Sequence, residues 1–220
     1  MGLLKKARKR FADRFLSRVS GVIHVGANTG QERERYARLG LAVLWIEPIP
    51  AVFATLRANL RGFESQRALE YLVTDKDGAE YEFHIANNEG QSSSIMDLKD
   101  HRDIWPMIAY TGSIRLKSMT LKSLLDKEGI APGQYDALIM DTQGSELLVL
   151  QGAEPILRNF KYIKTEIADF ESYAGCCQLP EMEAFMRRHG YREFSRFTAA
   201  TRSAGGKCYD IVYERIGGAP

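Results

Sequence analysis

Four acidic residues in this 220-residue chain, Glu47, Asp75, Asp141 and Glu166, are each expected where an apolar run of sequence stops. A carboxylate at such a place can accept hydrogen bonds from a diol, hold a cation or take a proton. A lone acid at a strand end is more often a helix cap or a surface charge. Four of them, preceded by a glycine turn, point instead to a ligand site, because open α/β sheets bind ligands beyond the carboxyl ends of their strands. Glu47 lies 21 residues after Gly26, the distance at which an acid holds the ribose of a nucleotide cofactor. Asp141 follows the apolar "ALIM" and is the first candidate for a general base, with Glu166 and His101 behind it. His84 is less suited, since it sits inside the alternating "EYEFHIAN".

The glycine turn narrows the cofactor. A dinucleotide fold uses Gly-x-Gly-x-x-Gly, whose second glycine lets backbone approach a pyrophosphate. Here the turn reads Gly26-Ala27-Asn28-Thr29-Gly30, with Asn28 at that second position. A Gly-x-x-x-Gly turn suits S-adenosylmethionine, which has no phosphate but carries an amino-acid end that backbone amides can hold. A dinucleotide-dependent oxidoreductase or epimerase remains the alternative enzyme reading. A non-catalytic binding protein on the same fold is the third.

The elements that must position these residues alternate. "GVIHVG" and "LAVLWIEP" read as strands, and "NTGQERERYARLG" and "PAVFATLRANLRG" as helices closed by Gly40 and Gly62. A further strand is expected near "RALEYLVTD". Strand–helix–strand repetition requires a parallel sheet, because a parallel pair needs a crossover. "EYEFHIAN" alternates as a half-buried strand. "SIRLKSMTLKSLLDKEG" reads as strand then helix, and "YDALIMDTQGSELLVLQGAEPILRNF" as a buried strand and a helix interrupted at Pro155. "YIKTEIADF", the helix "LPEMEAFMRRHG" and two closing strands complete the order. The segment between them, "NEGQSSSIMDLKDHRDIWPMIAYTG", has no clean period, and long irregular segments in compact domains tend to be functional.

Composition sets the class. At 45% hydrophobic and 26% charged, the chain is a globular protein with a core of its own. No apolar run reaches the roughly 20 residues of a membrane span, and the start has no secretory apolar region. Three cysteines, Cys176, Cys177 and Cys208, lack metal-ligand spacing; a reducing cytoplasm fits them. The first 20 residues hold seven basic residues against Asp13 alone. Leu4, Ala7, Phe11, Phe15 and Val19 recur there at helical spacing. Residues 1–18 are therefore expected to form a basic amphipathic helix that docks on the domain or a partner and is dispensable for cofactor binding. Contact with a membrane surface is open but not favoured, and nucleic acid is not expected as a partner. Residues 19–220 form the main domain.

Taken together, "VIHVGANTGQ", "WIEPIP", "TDKDG", "SSS" and "MDTQGSELLVLQGA" resemble the FkbM family of S-adenosylmethionine-dependent methyltransferases, from about residue 20 to about 195. The Asp-x-Gln-Gly-x-Glu-Leu pattern is the most specific part. The resemblance implies a three-layer α/β sandwich, Rossmann-like, with a mostly parallel seven-stranded sheet closed by an antiparallel hairpin. It also implies O-methylation of a hydroxyl on a sugar, glycan or secondary metabolite. By position, Gly26, Asn28 and Gly30 would line the methionine end and Glu47 would hold the ribose. Thr74 and Asp75 would lie near adenine, Ser93 in the serine run would contact cofactor or sugar, and Asp141 would face the methyl group. His24 stands where the family's first motif has Asp, so either the cofactor wall loses a charge there or His24 is a buried strand residue with both nitrogens satisfied. No metal is expected. The chemistry implied is an in-line methyl transfer in which alignment contributes ~7–11 kcal/mol and a general base ~10²–10⁴-fold.

Overall fold

The structure, a computed structural model, describes residues 13–217. A seven-stranded sheet runs through it: β1 (Gly21–Val25), β2 (Ala42–Ile46), β3 (Gln66–Leu69), β7 (Ala137–Met140), β8 (Tyr162–Ala168), β9 (Tyr191–Thr201) and β10 (Lys207–Arg215). Their spatial order is β3-β2-β1-β7-β8-β10-β9. The first five are parallel neighbours, while β10 enters between β8 and β9 antiparallel to both. This is the expected sheet with its closing hairpin. The order reverses between β1 and β7, so the carboxyl ends of these two strands open a crevice, carrying Gly26 and Asp141.

Helices cover both faces. Ile23, Val25, Leu44, Leu138 and Ile163 pack against α3 (Leu121–Lys127), α4 (Glu146–Ala153) and α5 (Leu179–Arg188). Val22, Val43, Trp45 and Ile139 pack against α1 (Arg33–Arg38) and α2 (Pro50–Asn59). The strands buried on both faces read as unbroken apolar runs for this reason. Pro155 falls in a 3-10 turn, Glu154–Asn159, which continues α4 as the sequence suggests.

Two local readings need correction, and a third element finds its place. "RALEYLVTD" is two strands: β3 joins the main sheet, and β4 (Leu72–Val73) leaves it to pair with β6 (Tyr110–Met119). "EYEFHIAN" is the expected half-buried strand, β5 (Glu80–Ala86), and it pairs antiparallel with β6 in a separate three-stranded sheet. At the N-terminus, Asp13–Arg18 is a 3-10 turn and not an α-helix; Phe15 is fully buried in the sheet face and Arg14 and Arg18 lie over the Phe194 ring. The rest of the expected basic helix, residues 1–12, lies outside the described residues. Among those described, no helix is long and apolar enough to cross a membrane.

Candidate active site

A cavity of about 440 Å³ opens at the carboxyl ends of β1, β2 and β7, a volume in the range of small-molecule sites. Its floor is the glycine turn. Gly26 has φ +78°, and a Cβ there would sit 1.9 Å from the Asp141 carbonyl oxygen, so only glycine lets the two strand-end turns meet. Asn28, at φ +45°, donates its backbone N–H to Glu47 Oε2 over 2.8 Å. Its side chain donates to the Glu89 carbonyl and accepts from Gln31. Gly30 does not line the cavity: a Cβ there would meet Leu56 at 2.7 Å, so this glycine packs the turn onto α2.

Glu47 is buried and accepts from Ile49 N as well as Asn28 N, one bond to each oxygen. Burial pushes its carboxyl up to about 7, against the pull of those two amides. Asp141 faces the cavity, where water reaches it, but protein surrounds it; this enclosure pushes it up to about 6, while a hydrogen bond from Gln143 pulls it down. Asp210 and Glu32 add to the upward push and Lys164 opposes it.

Glu146 has no role in the sequence reading, yet it builds the turn that presents Asp141. Its buried carboxylate accepts from Thr142 N at 2.8 Å and Gly144 N at 3.1 Å. The turn needs this because Gln143 and Gly144 both adopt positive φ, +54° and +104°. The available signal was one acid opening the otherwise apolar "ELLVL". Burial pushes Glu146 up to about 7.

His24 lines the cavity but belongs equally to the core. Its ring stacks on Trp45 at 5.0 Å, and Nδ1 lies 3.3 Å from the Tyr36 hydroxyl. Burial lowers its pKa to about 4, so the ring is neutral. Glu32 lines the same wall just ahead of α1.

Thr74 and Asp75 do not reach the cavity. Thr74 is fully buried, with its N–H bonded to Met119 O, because β4 has by then turned toward β6. Tyr71, Leu72 and Val73 form the wall in their place, facing Phe83. Ser93 does line it, with its hydroxyl accepting from Ala86 N at 2.9 Å.

The irregular segment is anchored rather than loose. Lys99 N and His101 N both donate to Ser172 O, and Leu98 bridges to Tyr173. His101 is buried between Trp105 and Tyr173, ring centroids 4.6 and 5.2 Å away, and burial lowers its pKa to about 4. Glu166 is not at a strand end. It sits inside β8, paired with Asp210 of β10, because β8 runs on to Ala168. His101, Trp105, Gln143 and Glu166 are common to the cavity and to a smaller one of about 40 Å³ beside it, which Cys176, Cys177 and Cys208 also line. All three thiols are pushed up by burial and stay protonated at neutral pH. Among the described residues, no three His, Cys, Asp or Glu side chains group to hold a metal.

This geometry places a nucleotide-cofactor cavity at the switch point of a methyltransferase-like sheet, with the Asp-x-Gln-Gly-x-Glu turn at its edge. Residues 24–193 match the methyltransferase FkbM domain. The chain belongs to the FkbM methyltransferase family. The methyl donor of this family protein is S-adenosylmethionine, which decides against the dinucleotide alternative. No curated protein matches by sequence. Among solved structures, a Klebsiella pneumoniae protein described as a candidate O-methyltransferase is similar at TM-score 0.54 and 12% identity, over 96% of this chain and 80% of that one. The Burkholderia thailandensis 1,6-didemethyltoxoflavin-N1-methyltransferase, solved with its substrate and S-adenosylhomocysteine, gives 0.51 and 12%, over 98% and 79%. A candidate tRNA methyltransferase from Streptococcus pneumoniae gives 0.52 and 8%, over 100% and 73%. At such identities the likeness is one of fold, and these proteins differ in acceptor.

The residues fit the donor. Glu32, Glu47, Asp141 and Glu166 line the cavity, and no Lys or Arg does so among the described residues. A sulfonium and an ammonium suit such a wall; a pyrophosphate does not.

Proposed function

We propose that this FkbM methyltransferase methylates a hydroxyl oxygen on a small neutral acceptor, such as a sugar, a glycan or a secondary metabolite. The observation that carries the reading is a lining that holds acids and no Lys or Arg among the described residues, with Asp141 in the larger cavity and Glu166 where the two cavities meet. A phosphate-rich nucleic acid would need Lys and Arg there.

When bound, S-adenosylmethionine would supply the electrophilic methyl, with its sulfur as the leaving group. The chain's own groups bind and align. Glu47, held by two backbone amides, accepts from the ribose hydroxyls. Glu32 balances the ammonium in place of the neutral His24; the Gly26 and Ala27 N–H groups are taken by Ile46 O and that of Asn28 by Glu47, so these amides do not hold the carboxylate. Asp141 takes the proton of the acceptor hydroxyl. Placed near 6 rather than in the ordinary carboxylate range, it is a stronger base than a free aspartate and still ionised at neutral pH. Glu166 orients the acceptor through a second hydroxyl. His101 remains a second candidate base, but its low pKa leaves it a weak one.

The test is transfer of labelled methyl from S-adenosylmethionine to a panel of neutral sugars and polyhydroxylated metabolites, with amines and RNA in parallel. NMR of the product should show a methyl ether. Asp141→Asn should cut turnover at least ~100-fold with melting temperature nearly unchanged. Label found on nitrogen or in RNA overturns the acceptor class, and full activity in the variant removes Asp141 as base.

A further inference from the structure

The Asp141 carboxylate is at one end of a chain of two side chains from different parts of the fold. Tyr173, in the loop between β8 and α5, donates its hydroxyl to Gln143 Oε1 over 2.5 Å. Gln143 Nε2 in turn donates to Asp141 Oδ1. Gln143 is tied a third time, since Ser94 of the serine turn donates its hydroxyl to the Gln143 carbonyl at 2.7 Å. Tyr173 is itself fixed. It is buried, it lies against Gly144, where a Cβ would be 3.0 Å from its own, and its strand-like bridge to Leu98 holds the backbone.

The direction of this chain follows from chemistry. An amide side chain can present either its oxygen or its nitrogen to a neighbour, and the two differ little in shape. An oxygen turned toward Asp141 would repel an ionised carboxylate. Asp141 settles the choice, because an ionised carboxylate only accepts whereas the Tyr173 phenol can donate as well as accept. The amide oxygen must then face Tyr173, and the N–H must face Asp141.

We infer that Tyr173 and Gln143 are positioning residues for Asp141: the phenol locks the amide, and the amide holds the carboxylate ionised with Oδ2 left for the acceptor. This rests on the reading of Asp141 as the base. The groups around it otherwise work against ionisation. Glu32 before α1, Glu47 after β2, Glu146 on α4, Glu166 on β8 and Asp210 on β10 are carboxylates; Lys164 on β8 is the one cation among them, and His24 on β1 is neutral. Lys164 is already engaged by Asp13 at 2.8 Å. The Gln143 N–H is therefore the donor that Asp141 depends on.

The titration of Asp141 itself tests this without any acceptor. The full chain is labelled with ¹³C at the aspartate side-chain carboxyls and followed by NMR against pH, alone and with S-adenosylhomocysteine; Asp141→Asn assigns the signal. Gln143→Met, which keeps the length and loses the N–H, should raise the proton affinity of Asp141 about tenfold, the scale of one hydrogen bond to a charge. Tyr173→Phe should raise it in the same direction by less. The double variant should match Gln143→Met alone, because Tyr173 acts through Gln143. Should Gln143→Met not fold, Tyr173→Phe, which keeps the ring packing, carries the test. A lower melting temperature with an unmoved titration would make both residues merely structural, and additive effects would break the chain between them. Full turnover in Asp141→Asn would refute the base while leaving this titration result intact, so the two failures are distinct.

Discussion

Cofactor affinity should depend on pH through Glu47, and the structure sets the size of the effect. Its carboxyl is buried, holds one backbone amide on each oxygen and is pushed up to about 7. Roughly a tenth of it is then ionised at pH 6 and roughly nine tenths at pH 8. The ribose hydroxyls are donors, and only the ionised form has acceptor capacity for both beyond the two amides. Binding thus selects the ionised form, and affinity rises with pH through about 7. The limit is about tenfold between pH 6 and 8, set by the ratio of ionised fractions. Titration calorimetry with S-adenosylhomocysteine at the two pH values measures it. An Asp141→Asn background removes the carboxylate that acts on Glu47 through space. Glu47→Gln should flatten the dependence and weaken binding at pH 8 by roughly ten- to a hundred-fold, from ~1.5–3 kcal/mol for hydrogen bonds to a charge. Equal affinity at both pH values in the wild type, or no loss in Glu47→Gln, refutes the assignment of Glu47 to the ribose.

Two further outcomes test the turns. Glu146 is raised to about 7 by burial, so the folded chain holds its proton more tightly than the unfolded one. Its contribution to stability is full below the ordinary carboxylate range and is lost as pH rises through about 7. Glu146→Gln cannot ionise, so its urea-unfolding stability relative to wild type should improve by up to ~3 kcal/mol between pH 4.5 and 8; a difference that ignores pH would show that the Thr142 and Gly144 amides fully offset burial. Gly26→Ala would place a Cβ 1.9 Å from the Asp141 carbonyl oxygen. It should cost well over the ~1–2 kcal/mol of a left-handed L-residue, whereas Gly62→Ala, with open space around it, should cost only about that amount. Equal losses in the two variants would mean that β1 and β7 separate freely.

The sequence by itself determined the sheet and its cofactor end. Apolar runs such as "GVIHV" and "ALIM" can only be strands buried on both faces, and the helices between them force parallel neighbours, so Gly26, Glu47 and Asp141 had to gather beyond the strand ends. The Asp-x-Gln-Gly-x-Glu pattern was visible too, but its mechanics were not. That Glu146 closes the turn is a local side-chain-to-backbone contact with no periodic signature, and that Tyr173 reaches Gln143 from 30 residues away depends on contact between loops. Register decided the rest. β8 extends two residues past Glu166 and so takes it from a strand end into the sheet. β4 turns toward β6 just before Thr74 and Asp75, and removes both from the cavity. His24 read equally as a change in the cofactor wall or as a buried strand residue, and the tertiary structure shows it doing both, lining the cavity while stacked on Trp45. Local pattern fixes which residues an element contains; where an element ends and what crosses over it are set by packing against neighbours that are distant in the chain.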